Sequence, residues 1–140
     1  MSTHISDNFT EEEFRCKHCL KNGVKPDFLE AFQLFRDLVG KPFIVHSGYR
    51  CKDHPVEKTK AGPGRHAEGI AADFHVENLD LKAVFDLILA KMPVFKGVGV
   101  AIHQNYLHVD TRKSAKTVFW AYDRSGKDVP WNGKWLDLPK

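Results

Sequence analysis

The chain has 140 residues, 42% hydrophobic and 28% charged, with a net charge of +3. That is one domain's worth of ordinary globular composition, able to bury about two-thirds of its unfolded surface without staples. It excludes a disordered tail and, with no apolar run near the roughly 18 residues of a membrane span, a transmembrane protein. No basic run exceeds two residues, so nucleic-acid binding has no footprint, and three cysteines are an odd count for a disulfide framework. The polar, acidic opening MSTHISDNFTEEEF does not read as a secretory signal, so the expected location at synthesis is the cytoplasm.

In chain order, Thr10-Glu11-Glu12-Glu13 reads as a capping box that starts a short helix. Pro26 suits a helix N-terminus, and Phe28, Leu29, Phe32, Phe35 and Leu38 follow at helical spacing until Gly40. Residues 42–47 (PFIVHS) read as a strand, and residues 48–65 as a long polar loop rich in Gly and Pro. A second strand is expected at 70–76 (IAADFHV). A second amphipathic helix should run from Leu81 to Met92 and stop at Pro93. Residues 98–102 and 106–111 form a hairpin around His103-Gln104-Asn105; 117–122 is a further strand, followed by a turn at Asp123–Gly126. The fold class is α+β: a single domain, residues 1–140, with an antiparallel sheet and two or three packed helices.

Three side chains carry chemistry: His66 at the end of the loop, Asp73 in the strand AADF, and His108 in the strand YLHVD. Two imidazoles and a carboxylate fit a catalytic zinc, which takes three protein ligands and keeps a fourth position open. Strand alternation puts Ala72, Phe74 and Val76 on the core face and Asp73, beside small Ala71, on the other. Likewise Leu107 and Val109 face the core, while Tyr106, His108, Asp110 and Arg112 share the opposite face. Each of the three alone is more often a hydrogen-bonded structural residue than a ligand.

The segments SGYRC (47–51), GRHAEGIAADFHV (64–76) and VGVAIHQNYLHVDTR (98–112) resemble the zinc D-alanyl-D-alanine peptidase family, which shares its fold with the hedgehog domain and includes phage endolysins. The hallmark is a His with Gly, Ala and Asp three, five and seven residues on, then a later strand His; His66, Gly69, Ala71, Asp73 and His108 supply it. The opening NFTEEEFRCKHC resembles the phage and prophage branch, and the likeness runs over about residues 8–120. It implies Zn²⁺ on His66, Asp73 and His108, and hydrolysis of amide bonds in peptidoglycan stem peptides. Arg50, in the SGYR motif, would hold a substrate carboxylate or the oxyanion. Ser47 would orient Arg50 or the substrate, and Tyr106 would contact substrate. A monomer is favoured, made in the cytoplasm and acting at the cell wall after release, with neither membrane nor nucleic acid as partner.

Two departures stand out. The acidic base that many members carry three residues before the last ligand is Asn105 here, and the Ser two residues before the first ligand is Gly64. Asp110 is the expected substitute: as general base, as a carboxylate orienting a ligand, or as a salt-bridge partner of Arg112. Glu68 is a weaker candidate base. A binding module that keeps the metal but not hydrolysis is the alternative, and a cytoplasmic dipeptidase a third reading. Cys16-Lys-His-Cys19 and Cys51-Lys-Asp-His54 together would make a structural zinc set; free thiols or a late disulfide are the other readings. Trp120, Tyr122, Trp131 and Trp135 are expected to close a core edge, with a substrate platform as the alternative.

Overall fold

The computed structural model describes residues 3–58 and 64–139, so part of the expected 48–65 loop, residues 59–63, lies outside the described residues. The element order is α1 (Glu11–Phe14), α2 (Pro26–Val39), β1 (Phe43–Ser47), α3 (Pro55–Lys58), β2 (Ala71–Val76), α4 (Leu81–Lys91), β3 (Gly97–Ala101), β4 (Tyr106–Asp110), β5 (Val118–Tyr122), β6 (Asp128–Pro130) and a 3-10 turn, Trp135–Asp137. Local chemistry sets the helix ends. Thr10 accepts from the Glu13 amide while the Glu13 carboxylate accepts from the Thr10 amide at 2.9 Å. Pro26 opens α2 and Gly40 closes it at φ 71°, a left-handed conformation that glycine adopts without steric cost. Asp80 caps α4 by accepting from the Ala83 amide at 2.8 Å.

The six strands form one sheet in the order β1-β2-β4-β3-β5-β6. All neighbours are antiparallel except β3 and β5, which run parallel, so the sheet is mixed at that pair. Strand β6 has three residues and carried no signal of its own; it exists because the turn before it folds the chain back onto β5.

The two faces of the sheet are chemically distinct. On one, Ala72, Phe74, Val98, Val100, Leu107 and Val109 join a core with α2 and α4. Its hub is Phe32, whose ring lies 4.9 Å from Phe9, 5.0 Å from Phe74 and 5.4 Å from Phe43. On the other face, register aligns one row across the strands: Ser47 opposite Asp73, Asp73 opposite His108, His108 opposite Gly99, and Gly99 opposite Trp120. A second row sets Asp110 between Ala71 and Gly97. Directly opposed residues have Cβ atoms about 4.5–5.5 Å apart, so these rows place Asp73 and His108 within contact by backbone geometry alone.

The glycines of β3 make this polar face possible. A Cβ at Gly97 would run into the Asp110 carboxylate, and one at Gly99 would lie 2.7 Å from Trp120 Nε1. Gly97→Ala is therefore expected to displace Asp110 and to destabilise the fold by about 1–3 kcal/mol, the usual range for overpacking. Thermal and chemical denaturation measure the loss, and unchanged stability would refute the contact.

Candidate metal centre

His66 is held by a turn rather than a strand. Its carbonyl accepts from the Arg50 and Gly69 amides, and its ring Nδ1 lies 2.7 Å from the Gly48 carbonyl oxygen. A carbonyl only accepts, so Nδ1 carries the proton and Nε2 presents a lone pair. That Nε2 lies 3.2 Å from Asp73 Oδ1. On β4, His108 Nε2 lies 2.7 Å from Asp110 Oδ2, and its Nδ1 lies 2.9 Å from the same Asp73 Oδ1. Asp110 is itself tied to Arg112 by two bonds of 2.8 Å, from Nε and Nη2. It is an ionised acceptor, so His108 donates from Nε2 and also aims a lone pair at Asp73.

Three electron-pair donors thus converge: His66 Nε2, Asp73 Oδ1 and His108 Nδ1, all within 4.8 Å of one another and all on buried residues. Facing acceptors repel unless a positive charge sits among them, either a proton or a metal ion. The protonation equilibria register this. Burial would lift the Asp73 carboxyl, but its interactions with the His66 and His108 imidazoles hold it well below the usual carboxylate range. Burial pulls His108 down, yet its bonds to Asp110 and Asp73 prevail and raise it above an ordinary histidine. His66, with less support, is lowered by burial. The donor set fits a divalent cation of borderline softness, with two imidazole nitrogens and one carboxylate oxygen.

The three groups open into a cleft of about 530 Å³, also lined by Arg50, Tyr106, Trp120, Tyr122 and Asp128. A larger groove of about 900 Å³ beside Arg65 and Arg112 contains none of the three. Burial pushes the Tyr106 hydroxyl up to about 12. The Trp120 ring lies 4.9 Å from the His108 ring, and the Arg112 guanidinium lies 5.0 Å over the Trp120 ring.

The expected residues therefore divide. Arg50 and Tyr106 border the cleft with His66, Asp73 and His108. Ser47 stands opposite Asp73 on β1 but does not line the cleft. Asp110 is fully buried behind His108, bonded to His108 through one oxygen and to Arg112 through both, and it does not line the cleft; of the expected arrangements, the contact with a candidate ligand and the pairing with Arg112 are both present. The reason is that Gly97 and Ala71 leave room for the carboxylate inside the sheet, where Arg112 folds back to meet it. Glu68 is paired with Arg65 at 3.0 Å and lines the other groove. Asn105 is exposed in the hairpin turn at φ 58°. The C-terminal aromatics separate: Trp131 and Trp135 pack at 5.4 and 5.5 Å on Phe85 at the core edge, whereas Trp120 and Tyr122 border the cleft.

Sequence reasoning missed Asp128. It is the one carboxylate besides Asp73 that lines the cleft among the described residues, and it arrives on β6, opposite Tyr122. The only signal for it was the Asp123–Gly126 turn, which implied a returning chain.

A carboxylate bonded to the far nitrogen of a ligating imidazole fixes its tautomer and raises its basicity, typically worth 10–100-fold in metal affinity. Asp110→Asn is expected to weaken zinc binding by about that factor in chelator competition. Affinity equal to the parent's would remove Asp110 from the site.

A search of curated proteins finds no match. A family model described as Peptidase M15 matches residues 7–110, a span that contains His66, Asp73, His108 and the strands that present two of them. Peptidases of this family are zinc-dependent, in keeping with the donor set that β2, β4 and the 65–69 turn bring together. The chain belongs to the Peptidase M15 family, the zinc D-Ala-D-Ala peptidases, and is a zinc metallopeptidase by class.

Proposed function

We propose that this chain hydrolyses peptide bonds in the stem peptides of bacterial peptidoglycan, as a lytic enzyme of the phage or prophage type that acts at the wall. The observation that carries the reading is the convergence of His66 Nε2, Asp73 Oδ1 and His108 Nδ1 on one point at the base of an open cleft. These three are the residues that would hold the zinc, which when bound polarises a carbonyl and brings the pKa of water near 7. The positive net charge of the chain suits an anionic wall polymer. The likeness of its N-terminal segment to phage and prophage relatives supports the lytic role.

The remaining roles belong to the chain's own groups. Arg50, on the rim, pairs with a substrate carboxylate such as the terminal D-alanine or a stem-peptide acid. Asp128 takes the proton from the attacking water and returns it to the leaving amine, the work that Asn105 cannot do and that Asp110 is too enclosed to do. Trp120 covers one side of His108, keeping bulk water from that imidazole while its other edge meets the cleft. Asp110 and Arg112 act through His108 as positioning residues.

The decisive assay follows release of amino groups from purified peptidoglycan. Release should stop with a chelator and return with Zn²⁺. Full zinc occupancy without any release would favour a wall-binding module instead, and cleavage of free dipeptide but not polymer a dipeptidase. Asp73→Asn should lose both metal and hydrolysis. Asp128→Asn should keep the metal and lose about 10²–10⁴-fold in turnover, the usual worth of a general base. Near-parental turnover would return the base to another group. Arg50→Lys should raise KM more than it lowers kcat if the guanidinium grips the ground-state carboxylate.

A further inference from the structure

The cysteines are not absorbed by the peptidase chemistry, yet the fold gathers all three. Cys16 and Cys19 lie in the loop after α1, and Cys51 follows Arg50 in sequence. Their sulfurs lie within 4.8 Å of one another, and all three are free thiols. The loop is closed by its own backbone: the Cys16 amide donates to the Lys21 carbonyl at 2.7 Å, and the Leu20 amide to the Cys16 carbonyl at 2.8 Å. Two further amides point at one sulfur, His18 N at 3.4 Å and Cys51 N at 3.3 Å from Cys16 Sγ. Amides aimed at sulfur favour the thiolate, which accepts such bonds far better than a thiol or a disulfide sulfur. A disulfide would use two of the three sulfurs and leave the third without purpose.

Besides His54, the spacing's candidate, a second imidazole from within the CxxC comes up to the sulfurs. His18 Nδ1 lies 3.7 Å from Cys51 Sγ. Two ligands on a tetrahedral zinc, at roughly 2.3 Å for sulfur and 2.0–2.1 Å for nitrogen, stand about 3.6 Å apart. His54, the other half of the CxxH, accepts from the Val56 amide through Nδ1 at 3.1 Å, and its ring centroid lies 6.1 Å from that of His18.

We propose that Cys16, Cys19, Cys51 and His18 form a second metal site, a closed tetrahedral centre for zinc that ties the N-terminal loop to the segment bearing Arg50. Its donors are three thiolates and one imidazole, with no position left open, so its role is structural. The site shares no ligand with the His66–Asp73–His108 centre.

Elemental analysis of the full chain purified under reducing conditions should find two zinc ions per chain. Exchange with Co²⁺ should give the intense thiolate-to-metal charge-transfer absorption that only sulfur ligands produce. Cys19→Ser, at a half-buried position, should abolish that absorption and leave one metal ion. His66→Ala should remove the other ion and leave the absorption untouched, so the two centres fail separately. In chelator competition, His18→Ala should weaken the sulfur site at least about tenfold and His54→Ala should not. One metal ion per chain with no charge-transfer band, or three thiols reacting with a thiol reagent at the same rate before and after chelator treatment, would overturn the site. Weakening by His54→Ala in place of His18→Ala would overturn the fourth ligand.

Discussion

Three acceptors aimed at a single point are an unstable arrangement, and this molecule is organised to keep them there. Gly48 and Asp110 occupy the far nitrogens of His66 and His108, which commits the near nitrogens to face Asp73 as lone pairs. A buried carboxylate flanked by two such imidazoles is tolerable only around positive charge. The site therefore spends folding stability on affinity for a cation, and the aromatic core on the opposite face of the sheet supplies that stability.

Backbone register does most of the placing. Asp73 and His108 are cross-strand partners, and a slip of one residue in either strand would turn a ligand into the phenylalanine core. The neighbouring strand contributes by what it lacks. Gly99 stands beside His108 and gives way to the Trp120 indole, and Gly97 stands beside Asp110 and gives way to its carboxylate. A strand of alternating glycine and valine thus serves two faces, with valines packed below and space above.

This division explains what could be read from the chain. Helix α2 was legible because Pro26 and Gly40 mark its ends and phenylalanines mark its inner face. The facing of Asp73 and His108 followed from period-two alternation alone. Asp128 was not legible, because β6 is short, exposed and ends in proline, and it acquires meaning only by pairing with β5. Trp120 was ambiguous because its place depends on β5 running parallel to β3, a non-local fact that no spacing encodes. Asp110 was read onto the correct face, but its enclosure depends on Gly97 across the ladder and on Arg112 returning to it. The choice between His18 and His54 beside the three sulfurs was not legible either, because a CxxH interval fixes distance along the chain and not the direction a loop takes.

Cys51 is the residue after Arg50, and this adjacency links two ends of the molecule that share no chemistry. On the proposed roles, the arginine that would hold substrate is leashed to a knot of sulfur around the chain's opening turn. An oxidant that undid the knot would leave the histidine grip whole and slacken only the leash. Such a protein would keep its reactive heart and lose its hold on the peptide, failing first at capture and only later at cleavage.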